Sequence, residues 1–343
     1  MGLKRIVKKS LGLGEMGFTK DGGNINWFPG HMAAATRAIK SRLKLSDLVI
    51  EVRDSRIPLS SAHPELQSQL SSKRRILALN KKDLANPNIL NKWVHYFDSC
   101  NQDCIAINGH SKSSVQKLLE LVELKLKERL VFPEKMKRAR VGPLPGVTQD
   151  IAGFKIANRP SIYVLDTPGV LVPSISDIET GLKLALAGSV KDSVVGEERI
   201  VQYLLAVLNS RGTPLHWRHL NNRLEVNQFE SDNKREYNLK DLRPQSRKPL
   251  NVSDVLYVED MVTEVQRALH VSLSEFDGNV EDENDLENLI EQQFEVLQKA
   301  LKIPHKASEA RLMVSKKFLT LFRTGKLGPF ILDDVPDVNP PKP

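Results

Sequence analysis

Four consecutive polar residues, Asn80-Lys81-Lys82-Asp83, come directly after the apolar run Ile76–Leu79. A short apolar run with polar boundaries predicts a buried strand, which places these side chains at its carboxyl end. In an open α/β sheet, ligands bind in the crevice beyond that end. A carboxylate there can accept from two adjacent donors, such as the N1–H and 2-amino groups of guanine, and adenine lacks this pair. The NKxD pattern therefore favours guanine recognition by Asp83, with a polar turn as the alternative.

A second polar group, the sequence DTPG at 166–169, follows another apolar run at Ile162–Leu165. It fits a DxxG pattern, in which Asp166 would hold Mg²⁺ through a water molecule and the Gly169 N–H would meet a γ-phosphate. Thr148 supplies a candidate hydroxyl ligand for the same ion. For DTPG an Asx or Pro-Gly turn without any ligand remains open.

A third strand end, at Asn108-Gly109, forms a loop that could touch the guanine from its other side. The order of these motifs is informative. An ordinary GTPase runs phosphate loop, switch threonine, DxxG, NKxD and last base loop, whereas here NKxD and the base loop precede the threonine and DxxG. Chance matches are not expected to fall into a cyclic rotation of that order, so the sequence favours a circularly permuted arrangement.

Alternating strands and helices must position these residues. Strands are predicted within 45–54, 74–83, 104–109 and 161–169, and helices at 33–45, 64–71, 88–98 and 113–130. This alternation is typical of a doubly wound, mostly parallel α/β sheet. Beyond about residue 177 helical periodicity dominates, and three helices are expected between 255 and 325, the clearest at 283–302. The polar stretch 221–251 predicts a flexible insertion.

The bulk composition sets the class of protein. A chain of 343 residues is long enough for two domains, or for one large domain with appendages, and its 40% apolar and 27% charged residues are ordinary for a soluble globular protein. No apolar run reaches the length of a membrane span, which leaves only peripheral membrane association open. The formal charge of +8 favours a polyanionic partner, with simple solubility as the alternative. Cys100 and Cys104 suffice for neither a disulfide framework nor a zinc site, so we expect reduced thiols.

Six stretches, taken together and in order, resemble the YlqF/RbgA family of circularly permuted GTPases. They are NWFPGHM at 26–32, EVRDSRIP at 51–58, NKKD at 80–83, GPLPGVTQDI at 142–151, DTPGVLVP at 166–173 and ETGLKLALAGSV at 179–190. Within that family the chain most resembles the mitochondrial GTPase 1 or plant DAR GTPase branch. The resemblance covers about residues 24–220 and resumes in the C-terminal helices, ending at FRTGKLGPFIL, residues 322–332.

The resemblance implies a site for GTP or GDP with Mg²⁺. The nucleotide contacts that it implies are Asn80, Lys81, Lys82, Asp83, Asn108, Gly109 and Gly169, and the Mg²⁺ ligands are Thr148 and Asp166. It attributes catalysis to His31, and Val170 fits the hydrophobic residue that this family has in place of a water-positioning glutamine. From the residues alone, a structural histidine that caps the next helix fits His31 equally well. We expect a structural role for the stretch Asp54–Pro58.

The chain departs from the family at one point, because it has no Walker loop GxxxxGK[ST]. Where the family carries it, only residues 110–147 are present, and the predicted helix 113–130 takes about half of them. A strand, loop and helix need about 25–30 residues, which the rest cannot hold. The only Gly-Lys pair, Gly325-Lys326, precedes a leucine and lies far away. We therefore place a missing phosphate-loop segment near 130–141 and expect weak or no nucleotide binding.

The expected organisation follows from these stretches. It comprises a basic arm or short targeting segment at 1–23, a GTPase domain at 24–220, the insertion at 221–251 and a helical domain at 252–335. The resemblance implies a monomeric GTP-hydrolysing assembly factor for the mitochondrial large ribosomal subunit, in contact with its rRNA. A nucleotide-independent, ribosome- or RNA-binding protein derived from such a GTPase is the alternative. Cytoplasmic location is the alternative to mitochondrial.

Overall fold

The structure is a computed structural model, and it describes eleven segments of the chain. These are residues 25–26, 39–40, 42–43, 46–70, 73–130, 153–158, 161–167, 174–175, 177–217, 252–304 and 309–336. The expected arm at 1–23, the insertion at 221–251 and the gap near 130–141 lie outside them. The chain divides into two compact units. Of the described residues, those between 25 and 195 and those at 328–336 form the α/β unit, and those between 196 and 327 form the helical unit.

Among its described residues the α/β unit holds seven strands and five α-helices, besides a 3-10 helix at Lys82–Leu84 and helical residues at 39–40 and 42–43. The strands are β1 Ile25–Asn26, β2 Val49–Asp54, β3 Arg75–Asn80, β4 Cys104–Ala106, β5 Gly153–Asn158, β6 Ser161–Leu165 and β7 Ser174–Ile175. The helices are α1 Pro64–Leu70, α2 Pro87–Ser99, α3 Lys112–Leu130, α4 Ile178–Leu186 and α5 Asp192–Val195. The strands and helices predicted between residues 46 and 130 are all present, which confirms the α/β class.

A three-stranded parallel sheet, in the order β2-β3-β4, forms the centre of this unit. Its middle strand β3 is apolar along Ile76–Leu79, and each of those four side chains is at most 1% exposed. On one face the strand packs against Trp93 and Phe97 of α2, and on the other against Leu118 and Val122 of α3. A parallel strand covered on both faces has this continuous apolar pattern rather than an alternating one.

The remaining strands form two separate antiparallel pairs, β1 with β7 and β5 with β6. The strand expected within 161–169 is present as β6, but its partner β5 was not predicted. Neither pair is hydrogen-bonded to the parallel sheet within the described residues. Since β2 lies at the end of the sheet order, its outer edge has no strand neighbour in the described part of the chain, and its Val52 is 60% exposed.

The helical unit contains four α-helices in its described segments. They are α6 Glu197–Ser210, α7 Val252–Ser274, α8 Glu283–Ala300 and α9 Ala310–Arg323, with a 3-10 helix at Thr213–Trp217. The three helices expected between residues 255 and 325 are therefore confirmed. The Asp282 side chain accepts from the N–H groups of Asn284 and Asp285, so it caps the start of α8.

The boundary of the helical unit differs from the expected range 252–335, because the unit begins at Gly196 and ends at Leu327. Helix α6 belongs to it through a buried pair of amides. The Asn209 Nδ2 donates to the Gln293 Oε1 over 2.8 Å, and the Gln293 Nε2 donates back to the Asn209 Oδ1 over 2.9 Å.

In the described segments every helix is too short or too polar to traverse a bilayer.

Candidate guanine-recognition site

The carboxyl end of β3 is tied to the loop after β4 by one side chain. The Asn80 Oδ1 accepts hydrogen bonds from the backbone N–H groups of Lys81, over 2.8 Å, and Gly109, over 2.9 Å. The Asn80 side chain therefore bridges the NKxD turn and the loop after β4. A Cβ added at Gly109 would lie 3.3 Å from the Asn80 Oδ1, closer than an ordinary van der Waals contact. Glycine at this position thus permits the short bond.

The chain turns sharply after Asn80, which brings the next residues to the surface. Lys81 has φ 64° and ψ 37°, in the left-handed region that a lysine seldom adopts. The turn continues as a 3-10 helix, Lys82–Leu84, and the Lys82 N–H donates to the Ile107 carbonyl over 3.0 Å. Asp83 is exposed, and its carboxylate has no hydrogen bond or ion pair with any described residue. A ligand can therefore reach it.

Lys81 points its ammonium at a buried carboxylate. Its Nζ lies 2.9 Å from the Asp54 Oδ2, while the Lys81 side chain as a whole stays 45% exposed. Arg56 binds the same carboxylate through two guanidinium N–H groups, over 2.9 and 2.7 Å, and donates to the Ala187 carbonyl over 2.8 Å. Asp54 thus links its own turn, Asp54–Pro58, here called the DxR turn, to the NKxD loop, which agrees with the structural role expected for that stretch.

The electrostatics of this cluster keep Asp54 ionised. Burial by itself raises the pKa of the Asp54 carboxyl, because it penalises the charged form. Hydrogen bonds and positive charges from Arg56, and then from Lys81, outweigh burial and hold that pKa below its usual range. The ion pair between Asp54 and Lys81 was not predicted from the sequence. The only signal was an acidic residue at the end of a buried strand.

The base loop after β4 is ordered by its own side chains. The Asn108 N–H donates to the Ser114 Oγ over 2.8 Å, and the Asn108 Oδ1 accepts from the His110 N–H over the same distance. The Ser111 N–H donates to the Asn108 carbonyl, so the chain closes a turn just before α3 begins. This loop and the NKxD turn consequently stand side by side, held by Asn80.

The structure brings together Asn80, Lys81, Lys82, Asp83, Asn108 and Gly109, as the sequence predicted. Asp166 directly follows β6, outside the parallel sheet, and it is exposed. No hydrogen bond or ion pair joins it to the NKxD loop within the described residues. The other expected residues, His31, Thr148, Gly169 and Val170, lie outside the described segments. Their roles stay predictions.

Comparison with known proteins supplies close relatives. The chain is 68% identical to the Arabidopsis thaliana protein "Short integuments 2, mitochondrial", over 100% of this chain and 97% of that relative. It is 36% identical to "DAR GTPase 2, mitochondrial" of the same plant, over 91% of each chain. It is 32% identical to "Ribosome biogenesis GTPase A" of Bacillus pumilus, over 54% of this chain and 75% of that protein. The chain belongs to the YlqF/RbgA family of circularly permuted GTPases.

Within the YlqF/RbgA family, both Arabidopsis relatives are named as mitochondrial, which confirms the location predicted from the sequence. Among solved structures, GNP-bound YlqF from T. maritima gives a TM-score of 0.36 at 21% identity, over 76% of this chain and 94% of that one. No protein-family model matches the sequence.

Proposed function

We propose that this family member serves assembly of the mitochondrial large ribosomal subunit, and that it keeps the guanine-recognition half of a GTPase site without the phosphate loop. The observation that carries the proposal is the pair of loops clamped by Asn80 beside the free carboxylate of Asp83. The nucleotide would be GTP or GDP. Assembly of ribosomes is the process named for its relative from Bacillus pumilus.

Base recognition follows from the geometry of the two loops. Asp83 would accept from the N1–H and 2-amino groups of guanine, since its carboxylate has two oxygens and no donor. The Lys81 ammonium is bound by Asp54. The methylene groups of the same side chain would therefore pack against the guanine ring. Lys82 is exposed beside Asp83. Asn108 and Gly109 would contact the guanine from the other side.

The residues that would contact the phosphates and Mg²⁺ are assigned from the sequence motifs alone. Gly169 would offer its N–H to the γ-phosphate, and Thr148 and Asp166 would hold Mg²⁺, which when bound neutralises phosphate charge. Asp166 suits a hard cation, because its carboxylate is exposed and has no hydrogen bond or ion pair among the described residues. His31 would act on the water that attacks the γ-phosphate.

Two observations support the missing phosphate loop. The alignment with Short integuments 2 has 377 positions against 343 residues here, so about 34 positions of that relative face no residue of this chain. The alignment with DAR GTPase 2 has 352 positions and covers 91% of this chain, which is about 312 residues. About 40 positions of DAR GTPase 2 therefore face no residue of this chain. A strand, loop and helix need about 25–30 residues.

The sheet supports the same conclusion. A strand that enters a phosphate loop is normally central in the sheet, and its loss would leave an unpaired edge. The outer edge of β2 has no strand neighbour among the described residues, and β5 and β6 form a separate pair. The exposed Val52 lies on β2. We therefore expect this polypeptide to bind nucleotide weakly, if at all.

A second candidate function is ribosome or RNA binding without nucleotide. The missing loop favours it for this polypeptide, and the charge of +8 suits an RNA backbone. Titration with structured RNA at rising salt tests it. A steep fall in affinity with salt is expected for phosphate contacts, and affinity independent of salt would exclude them.

The deciding experiment is a titration of a fluorescent GDP analogue with Mg²⁺ into two proteins. One is the 343-residue chain, and the other carries a GxxxxGK[ST] phosphate loop with its flanking strand and helix, inserted near residues 130–141. We expect binding only by the restored form. Equal micromolar binding by both would refute the missing loop, and no binding by either would refute guanine-nucleotide binding.

A further inference from the structure

Residues 328–336, here called the C-terminal strap, belong to the α/β unit although they follow the helical unit along the chain. The C-terminal strap begins within the stretch FRTGKLGPFIL, for which the family resemblance implies no role. In the structure Ile331, Leu332 and Asp333 are 2%, 3% and 5% exposed. The C-terminal strap is therefore packed into the unit that holds the candidate site.

Two backbone bonds attach the C-terminal strap to the two turns around Asn80. The Phe330 N–H donates to the Leu84 carbonyl over 3.1 Å, at the end of the 3-10 helix that contains Asp83. The Leu332 N–H donates to the Arg56 carbonyl over 2.7 Å, in the turn that holds Lys81 through Asp54. One short segment thus binds both turns.

Ile331, which lies between these two bonds, packs its side chain next to the NKxD loop. Ile331 lies in a buried cluster with residues of β3, of α2 and of the link between them. Its members are Leu77, Leu79, Ala85, Leu90, Trp93 and Phe97. Ala85 directly follows the Lys82–Leu84 turn. The contacts of Ile331 in this cluster therefore hold the C-terminal end of that turn against β3.

The carboxylate of Asp333 anchors the other side of the C-terminal strap. Its Oδ2 accepts from the N–H groups of Leu59 and Ser60, over 2.8 and 2.9 Å, and its Oδ1 accepts from the Ser60 Oγ over 2.6 Å. Lys183 of α4 lies 3.3 Å from the same oxygen. Four donors thus hold a buried carboxylate at the end of the DxR turn.

We infer that the C-terminal strap positions the guanine-recognition loop, with Ile331 holding the turn of Asp83 and Asp333 holding the turn of Arg56. This inference rests on the proposed function. Asp83 can meet both guanine donors only if its turn keeps a fixed distance from the base loop. Asn80 holds that turn to the base loop through the Gly109 N–H, and the C-terminal strap holds it through the Leu84 carbonyl.

The test compares Ile331→Ala with Ile290→Ala, a matched control in α8 whose side chain is also 2% exposed. Amide hydrogen exchange is measured on the 343-residue protein. Residues 81–86 should exchange about tenfold faster or more in Ile331→Ala, since a cavity opens beneath the turn. Helix α3 should keep its protection in both variants. Ile331→Val, which leaves most of the contact, should restore slow exchange.

Affinity gives the second readout, in the form with the phosphate loop restored. Ile331→Ala and Asp333→Asn should each weaken GDP binding about tenfold, and Ile290→Ala should not. Unchanged exchange at residues 81–86, or faster exchange throughout the α/β unit including α3, would overturn the inference. So would unchanged GDP affinity. If the restored form binds no GDP, the proposed function fails, while the exchange data still decide the role of the C-terminal strap.

Discussion

The side-chain oxygen of Asn80 lies 2.9 Å from the backbone nitrogen of Gly109, so one amide joins two loops that are 29 residues apart. The same oxygen accepts from the Lys81 N–H. Two backbone donors on one acceptor fix the spacing between the NKxD turn and the base loop. The proposed guanine site lies between these two loops.

Replacement of Asn80 by alanine should separate the loops with little effect on stability. In the restored form we expect GDP affinity to fall about tenfold, while the free energy of unfolding drops by about 1 kcal/mol, the usual value of a hydrogen bond. Titration of the GDP analogue and urea unfolding measure the two quantities. Asn88→Ala, at an exposed position of α2, is the control and should change neither. Equal losses of GDP affinity in both variants would contradict the proposal that the Asn80 side chain holds the two loops in place for the nucleotide.

Asp83→Asn should change which base the restored form prefers. An asparagine amide offers one donor and one acceptor, so it matches the N1–H and 2-oxo group of xanthine better than the two donors of guanine. We expect GDP to bind roughly a hundredfold more weakly and XDP to gain, because buried unpaired polar groups are costly. Competition between GDP and XDP measures this. Asp98→Asn, an exposed carboxylate of α2, should leave the preference unchanged.

The Asp54 cluster should contribute to stability above acidic pH. Its folded pKa is depressed, so its contribution is present above the unfolded pKa of about 4 and is lost as pH falls through the lower folded pKa. Urea unfolding between pH 7 and pH 2 should show this loss in the original chain. Asp54→Asn should flatten the profile and cost about 3–5 kcal/mol at pH 7, since Arg56 is left buried without its counter-charge.

The control for that measurement is Asp103→Asn. The Asp103 side chain is 43% exposed in its pair with Lys125, so its removal should cost at most about 1 kcal/mol at pH 7. An acid profile that stays as steep in Asp54→Asn as in the original chain would show that other carboxylates cause the loss.

The buried amide pair in the helical unit gives a prediction about stability alone. Asn209→Leu leaves the Gln293 amide without its main partner, which should cost about 1–3 kcal/mol in urea unfolding. Gln293→Leu should cost a similar amount. The double variant should cost less than the sum, because no amide is then left unpaired in that contact. Strict additivity would mean that the pair is not coupled.

Local patterns in the sequence were sufficient for β3, α2 and the NKxD turn. The run Ile76–Leu79 is apolar at every position, Asn86 precedes Pro87 at a helix start, and four polar residues fill the strand end. Each signal lies within a few residues of the structure that it specifies, because strand burial and helix capping act over that range. The candidate base contacts at 80–83 and 108–109 could therefore be named in advance.

The sequence by itself determined the order of the motifs, the α/β class and the absence of a Walker loop, since these are properties of residue type and spacing. Only the tertiary structure decided that Asp54 holds Lys81, that β6 pairs with β5, and that Asp333 binds the turn at Ser60. The last contact joins residues 273 positions apart. Such a bond depends on where the folded chain returns, and no local period or propensity encodes that path.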